Sequence, residues 1–175
     1  MDEPDPGLIR AAAQGDHDAF AQLVRAHQGM VWHFLTRLLG DCSLAEDVTQ
    51  ETFIKVFIKL PTFSYRARFS TWVFAIARNA GIDALRARAR SERTTHAAAD
   101  LQRDEESSSP AGQMDLEAAI AALPPKLKEA FLLVEVAGLR YEEVAKVQRV
   151  PIGTVKSRLH HARQALIKEL GKGSE

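Results

Sequence analysis

The chain has 175 residues, of which 46% are hydrophobic and 26% are charged. This size suits one average domain or two small ones, and the apolar fraction excludes a disordered chain. The single cysteine, Cys42, excludes an internal disulfide and a zinc site built from cysteine pairs. Because no apolar run approaches the roughly 20 residues of a membrane span, and the acidic N-terminus is no secretory signal, we expect a cytoplasmic protein.

Charge is balanced overall but unevenly distributed along the chain. The formal net charge is zero. Residues 1–51 carry nine acids and three bases, residues 64–90 carry six arginines and one acid, and residues 146–168 carry six bases and no acid. Two basic segments on an otherwise acidic chain predict two places where a polyanion binds.

The N-terminal half reads as three helices. Apolar residues recur at steps of three and four from Phe20 to Leu38, which predicts one long helix. A second helix is expected to begin with Ser43 as the N-cap of a capping box, and Pro61 closes it.

The third helix follows a short loop. Ser70 or Thr71 is expected to cap it, and its C-terminal end is rich in arginine. After residue 90 the helical pattern disappears, and residues 91–113 have the composition of a linker. We therefore predict an all-α fold with two small helical domains, 8–90 and 114–171, joined by this flexible linker.

The C-terminal domain contains a helix-turn-helix pattern. Apolar residues give the segment 141–147 a small buried face, and a turn follows. Val155, Leu159, Ala162 and Leu166 form the buried stripe of a second helix, which is the element that enters the major groove in this motif.

The outward face of that second helix is basic and polar, which favours DNA binding. The alternative is a solvated basic face on an interaction domain. The predicted DNA-contacting residues are Thr154, Lys156, Ser157, Arg158, His160, His161 and Arg163.

Aromatic residues interleave with arginines between residues 63 and 90. Rings that stack on bases beside cations that hold phosphates suit single-stranded DNA or a base turned out of the duplex. The alternative is that rings such as Phe69 and Trp72 belong to the core. The candidate residues here are Phe63, Arg66, Arg68, Trp72, Phe74 and Arg78.

The second helix offers a third candidate surface. Asp47, Gln50 and Glu51 lie near Phe53 and Phe57, and such a mixture of acidic and aromatic positions suits a partner helix. An amphipathic helix with a solvated acidic side is the alternative. The sequence contains no common catalytic motif and no metal-ligand spacing, so we expect no enzyme, no cofactor and no metal site. A redox role for Cys42, at a helix start, stays open.

Three stretches resemble the extracytoplasmic-function (ECF) sigma factors of bacteria. Residues 45–53 resemble their core-polymerase-binding helix, and residues 69–79, with Asp83 and Arg86, resemble their promoter-melting helix. Residues 123–124, 138–145 and 153–159 resemble their C-terminal helix-turn-helix domain. The three stretches stand in the family's order, over about residues 8–170.

The resemblance implies a role for each surface. Asp47, Gln50, Glu51 and Phe53 would bind the clamp helices of the largest subunit of RNA polymerase. Phe63, Phe74 and Asn79 would form the pocket for a flipped base of the minus-ten promoter element, with Arg78, Arg86 and Arg88 on nearby phosphates. The C-terminal helix would read the minus-thirty-five element. The resemblance also implies an anti-sigma factor as a partner.

Two positions depart from the family pattern. Arg140 stands where a capping Ser is common, so we expect that helix start to lose about 1 kcal/mol unless another group replaces the cap. His161 stands where Arg is common, and because histidine is mostly neutral at physiological pH we expect a weaker DNA contact there. The main alternative function is a stand-alone helix-turn-helix regulator with an N-terminal sensing or dimerisation domain.

Overall fold

The computed structural model describes residues 3–95 and 111–171, with side chains over residues 3–93 and 116–171. Both ranges are helical and contain no strand, so the predicted all-α class is confirmed. The helices are α1 (Pro6–Ala13), α2 (His17–Leu39), α3 (Cys42–Lys59), α4 (Phe69–Thr95), α5 (Ala111–Ala121), α6 (Pro125–Glu135), α7 (Tyr141–Gln148) and α8 (Ile152–Gly171). No helix in these ranges is long and apolar enough to cross a membrane.

Helices α1 to α4 form the N-terminal group. The predicted apolar stripe of α2 is buried, including Leu23, Val31, Phe34 and Leu35. It packs against α1, α3 and α4. Helix α1 was not predicted, because its eight residues are too few to show a clear period; Ile9 and Ala12 are its buried contacts.

The predicted N-caps of α3 and α4 are wrong. The carboxylate of Asp41 accepts from the Leu44 N–H at 2.9 Å, so the N-cap of α3 is Asp41, two residues before the expected Ser43. Helix α4 begins at Phe69, before the two predicted caps, and the carboxylate of Glu3 accepts from the Phe69 N–H. In both cases a carboxylate, the stronger acceptor, satisfies the first free N–H groups.

The C-terminal group comprises α5 to α8. Val155, Leu159, Ala162 and Leu166 are buried, which confirms the predicted stripe of α8. The turn between α7 and α8 passes through Arg149, which adopts the left-handed conformation with φ 55°. This turn sets α8 against α7 and leaves the opposite side of α8 exposed.

The helices on either side of the predicted linker extend into it. Helix α4 continues to Thr95, five residues into the predicted linker, and α5 begins at Ala111, before its predicted end at 113. The rest of the predicted linker lies outside the described residues. The two helical groups also touch each other, since α4 contacts α7 and α2 contacts α5 and α6.

Gly81 permits a close approach of α2 to α4. A Cβ at this position would lie 2.9 Å from Leu38 Cδ2 and 3.0 Å from Leu35 Cδ2. We expect Gly81→Val to lower the free energy of unfolding by about 1–3 kcal/mol, because α2 and α4 would be forced apart. Urea denaturation followed by circular dichroism measures this.

Gly29 is the matched control. It lies in α2, and a Cβ added there would meet no heavy atom within 4 Å. Gly29→Ala should raise the free energy of unfolding by roughly 0.5–1 kcal/mol through helix propensity alone. Equal stability of Gly81→Val and the wild type would contradict the close approach.

Candidate polymerase and nucleic-acid interfaces

The first candidate interface is the exposed side of α3. Asp47, Glu51, Ile54 and Ile58 follow one another at steps of four, three and four, which places them on one face of the helix. Ile54 and Ile58 are 59% and 67% exposed, unusually high for isoleucine. Gln50 is exposed beside them. We call Asp47, Gln50, Glu51, Ile54 and Ile58 the docking surface.

The structure changes the aromatic part of this prediction. Phe53, a predicted member of this surface, is only 8% exposed and packs in the core, whereas Ile54 beside it is exposed. Phe57 is partly exposed but is packed against Phe20 and His17. Sequence reasoning missed Ile54 and Ile58, although their spacing from Asp47 was a signal that could have found them.

The second candidate interface combines the loop before α4 with the first turns of that helix. Phe63 packs against Tyr65, Phe69 and Trp72, with ring centroids 4.8 to 5.7 Å apart. Phe63 and Trp72 are half-buried, Tyr65 and Arg66 are exposed, and Phe69 is buried. This cluster presents aromatic faces and edges to solvent, a surface on which a base can stack.

Two predicted members of this interface have other roles. Phe74 is fully buried and meets the edge of Phe34, so it cannot contact DNA without leaving the core. Arg68 donates to the carboxylate of Glu3 at 3.2 Å, and the hydroxyl of Ser70 donates to the same carboxylate at 3.3 Å. An N-terminal residue therefore holds the start of α4 in place.

Further along α4, the predicted phosphate-contacting residues separate into two places. Arg78, Asn79 and Arg86 line a cleft of about 400 Å³, together with Ile82, Asp83 and Arg149. Arg88 lies outside this cleft and pairs with Asp41 at 3.7 Å and Glu92 at 3.0 Å. Two of the three predicted arginines, Arg78 and Arg86, therefore line the cleft. Arg149 of the C-terminal group also lines it, and sequence reasoning missed this residue because only the fold brings it there.

The third candidate interface is the outward side of α8, which we call the recognition face. Lys156, Ser157, His160 and His161 are exposed, and Thr154 and Arg158 are partly exposed. All six lie outside the buried stripe of α8, and Thr154 and Arg158 flank it. No carboxylate stands among the residues of this helix from 152 to 168, so the face is electropositive.

Arg163 lies at the edge of the recognition face. It donates to Glu135 of α6 at 3.0 Å. Hydrogen bonds to Glu135 and Tyr141 raise the pKa of the guanidinium above its ordinary value, so Arg163 stays charged while it is tied to its own domain. A phosphate would have to compete with Glu135 for it.

The start of α7 shows what replaces the missing cap at Arg140. The carboxylate of Glu143 accepts from the Arg140 N–H at 2.8 Å, which is one half of a capping box. A second oxygen of Glu143 accepts from the Thr71 hydroxyl of α4 at 2.7 Å. Glu143 therefore holds the helix-turn-helix start and also joins the two helical groups.

A chain of side-chain hydrogen bonds runs from α4 to α8. Arg78 donates to Glu129 through Nε at 2.8 Å and through a terminal nitrogen at 3.3 Å. Gln148 donates to Glu129 at 2.8 Å, and Arg158 donates to Gln148 at 2.9 Å. Glu129 is only 5% exposed, so its charge is balanced inside the protein by these partners.

Family models match both helical groups. A sigma-70 region 2 model matches residues 23–91, and a sigma-70 region 4 model matches residues 113–166. Together they span more than two thirds of the chain, and the first contains both the docking surface and the aromatic cluster.

Curated relatives extend over nearly the whole chain. The chain is 35% identical over 169 residues to the ECF RNA polymerase sigma factor SigC of Mycobacterium tuberculosis, covering 95% of this chain and 91% of that protein. It is 36% identical over 182 residues to the RNA polymerase sigma-H factor of Pseudomonas aeruginosa, covering 96% and 94%.

Solved structures share the fold. The sigma factor RpoE from Bartonella quintana, solved in complex with the anti-sigma factor NepR, is 26% identical with a TM-score of 0.75, covering 87% of this chain and 96% of that one. CnrH, solved with the cytosolic domain of CnrY, is 24% identical with a TM-score of 0.74, covering 95% and 97%.

A buried histidine beneath the aromatic cluster gives this region a pH dependence. The ring of His27 meets Phe69, its Nδ1 bonds the Leu23 carbonyl at 2.8 Å, and its Nε2 is buried without a partner among the described residues. Burial lowers the pKa of His27 below 6.5, although the Leu23 bond and the charge of Glu3 oppose this. Between the folded and unfolded pKa values the unfolded chain binds more protons, so stability falls as the pH drops below about 6.5.

We expect His27→Gln to remove this part of the pH dependence. The wild-type slope from His27 can reach about 1.4 kcal/mol per pH unit, and urea denaturation at pH 7.5, 6.5 and 5.5 measures it. His33→Gln, which changes an exposed histidine on the same helix, should keep the wild-type slope. Identical slopes in all three proteins would show that His27 does not stay neutral in the folded state.

Proposed function

Because this chain belongs to the extracytoplasmic-function (ECF) family of RNA polymerase sigma factors, we propose that it binds core RNA polymerase through α3 and reads promoter DNA through α4 and α8. The observation that carries the proposal is the separation of three exposed surfaces on one small chain. The docking surface is acidic and apolar, whereas the two DNA surfaces are basic or aromatic. Each therefore suits a different partner.

The docking surface binds the clamp helices of the largest polymerase subunit. Two exposed isoleucines supply apolar area, which excludes water on contact, and Asp47, Gln50 and Glu51, one to two turns earlier on the same side of the helix, supply polar groups that set the register. Apolar contact area combined with a limited number of polar contacts is typical of specific protein interfaces.

The aromatic cluster and the cleft on α4 bind the minus-ten element. Phe63 and Trp72 present rings for a base that leaves the duplex, and Arg66, Arg78 and Arg86 supply cations for neighbouring phosphates. Asn79 is exposed beside Arg78 and offers an amide that can bond a base edge.

The recognition face of α8 binds the minus-thirty-five element in the major groove. Lys156, Ser157, Arg158, His160 and His161 are the contacting residues, with Thr154 and Arg163 at its edges. We assign residues 8–90 to core binding and minus-ten recognition, and residues 114–171 to minus-thirty-five recognition, with 91–113 between them.

Two weak DNA contacts on one chain become strong only when polymerase holds both. The chain has no net charge, so non-specific attraction to DNA is small. Once core polymerase fixes both domains, the second contact becomes intramolecular and the combined affinity rises. The chain thereby supplies promoter specificity, and bond formation belongs to the core enzyme in the cytoplasm.

We further propose that an anti-sigma factor controls this chain. The support is its likeness in sequence and fold to RpoE of Bartonella quintana, which was solved with such a partner. A protein that covers the docking surface or holds the two domains together would block every step above.

Run-off transcription with purified core polymerase tests the proposed function. The template carries the promoter upstream of the protein's own gene, and the control reaction omits the protein. A transcript that appears only on its addition establishes the activity. No transcript, together with core-independent binding to the same DNA, would identify a stand-alone regulator and overturn the docking surface.

The docking surface has its own prediction. We expect the double variant Asp47→Arg with Gln50→Ala to weaken core binding by at least tenfold, because one or two central interface residues commonly contribute above 1.4 kcal/mol. Titration of the fluorescently labelled protein with core polymerase gives the dissociation constant that tests this. The control variant Glu142→Arg also reverses the charge of an exposed acidic residue, on α7, and this variant should bind core as the wild type does.

The recognition face of α8 leads to a further prediction. Lys156→Ala should weaken binding of the holoenzyme to a duplex minus-thirty-five element by about 1–3 kcal/mol if Lys156 contacts a base, and should reduce the salt dependence if it contacts a phosphate. Lys126→Ala removes the same charge from exposed α6 and should leave binding unchanged. Equal losses in both variants would mean that only total charge matters.

A further inference from the structure

The loop between α3 and α4, residues 63–68, is held in a strained conformation. Tyr65 is exposed and adopts the left-handed conformation with φ 57°, although it is not a glycine. A residue with a side chain keeps such a conformation only where its surroundings hold it there. The loop carries Phe63 at its start and leads into Phe69 and Trp72, so its shape sets the shape of the aromatic cluster.

The first end of the loop is held by α1. The short turn Leu60–Thr62, which precedes the loop, contacts this helix. Leu60 is buried, and its carbonyl accepts from the Phe63 N–H at 3.0 Å. The position of Phe63 therefore depends on a buried turn that α1 supports.

The second end of the loop is held by Glu3, which lies before α1 in the chain. One oxygen of its carboxylate accepts from the Phe69 N–H, and the other accepts from Arg68 Nε at 3.2 Å and from the Ser70 hydroxyl at 3.3 Å. Phe69 is the first residue of α4, so its N–H has no acceptor within the helix. Glu3 thus supplies to α4 the acceptor that an N-cap side chain supplies to other helices.

The residues next to the start of α4 do not replace Glu3. Arg68 precedes the helix, and its guanidinium has donors only, so it cannot accept from the first N–H groups. Ser70, the nearest hydroxyl, is itself a donor to Glu3. A negative charge at this end of the helix is also favoured by the helix dipole. The start of α4 therefore depends on a carboxylate that is distant in the chain.

These restraints meet at Phe69. Its ring is buried, and the ring centroids of Phe63 and Trp72 lie 5.7 and 5.9 Å from its own. His27 of α2 closes the inner side, with its ring centroid 5.2 Å away. Because Phe69 is the first residue of α4, a shift of the helix start would move the ring on which both half-buried rings pack.

We propose that Glu3 is a positioning residue for minus-ten recognition, which caps α4 and thereby holds Phe63 and Trp72 in the orientation that receives an unstacked base. The inference rests on the proposed function for the nature of the ligand. A site that is already ordered loses less conformational entropy when its ligand binds. Glu3 thus raises the affinity for the base without touching DNA.

Binding of the holoenzyme to a promoter fragment with an unpaired minus-ten element tests this role. The fragment comes from the promoter that run-off transcription identifies, and a second fragment has abasic sites in the unpaired non-template strand. We expect Glu3→Ala to weaken binding to the first fragment at least about fivefold, the lower end of one base–ring contact. The abasic fragment should bind the variant and the wild type equally. No loss on the first fragment, or an equal loss on both, overturns the proposal.

Glu3→Gln tests whether the hydrogen bonds carry the effect. Its amide oxygen can still accept from the Phe69 N–H, whereas its charge is gone. This variant should therefore recover most of the affinity that Glu3→Ala loses. A loss as large as that of Glu3→Ala would assign the effect to charge and overturn the capping role.

Asp5→Asn is the matched control. It removes one negative charge from the same part of the chain, and its side chain keeps an oxygen for the Leu8 N–H, which Asp5 caps at 3.2 Å. This variant should bind both fragments as the wild type does. A loss equal to that of Glu3→Ala would mean that only the charge of this segment matters, against the proposal.

The fluorescence of Trp72 tests the positioning without DNA. In the free full-length chain, Trp32→Phe leaves Trp72 as the single tryptophan. Adding Glu3→Ala should move its emission to longer wavelength, because Phe63 and Phe69 shield its ring, while the helix content by circular dichroism stays unchanged. Unchanged emission overturns the positioning.

Run-off transcription separates this proposal from the proposed function. Transcription by the wild type together with unchanged Trp72 emission in Glu3→Ala overturns the positioning role alone. An emission shift in a protein that supports no transcription overturns the proposed function, while the capping of α4 by Glu3 stands.

Discussion

The buried carboxylate of Glu129 is the interaction on which the arrangement of the two helical groups depends. It has almost no access to water; the guanidinium of Arg78 supplies its countercharge, and the amide of Gln148 donates a further hydrogen bond. A buried charge that loses one partner is costly unless water reaches it. The contact therefore constrains how α6 and α7 of one group sit against α4 of the other.

Helix α4 shows how one element can serve both core and surface. Its apolar side carries Phe74 and Val73 into the interior, and Gly81 permits the close approach of α2. Its other side presents Arg78, Asn79 and Arg86. Because the buried side is rigidly packed, the polar side is held at a fixed spacing, which a site for an unstacked base requires.

The distribution of charge follows the distribution of partners. Acidic residues concentrate in α3 and the segments before it, where polymerase is proposed to bind, and basic residues concentrate in α4 and α8. A neutral chain built in this way has little attraction for DNA at large. Specific binding then depends on the geometry that polymerase imposes, which agrees with the role of a sigma factor as a subunit.

Local patterns were sufficient to predict the helical class, the buried stripes of α2 and α8 and the recognition face, because periodicity decides which side of a helix is apolar. The same patterns misplaced the caps of α3 and α4, since Asp41 competes with Ser43 locally and Glu3 reaches α4 from 66 residues away. Sequence reasoning also did not identify Phe53 and Phe74 as buried, and it missed the exposed Ile54 and Ile58 although their spacing from Asp47 indicates one helix face.

The sequence by itself determined the family, the helices and the separate acidic and basic surfaces, all of which depend on residues close together in the chain. Only the tertiary structure decided that Arg78 meets Glu129, that Gln148 links Glu129 to Arg158, and that Arg149 faces the cleft on α4. These contacts join residues from different helices, and their positions depend on how whole helices pack. No local spacing encodes that packing.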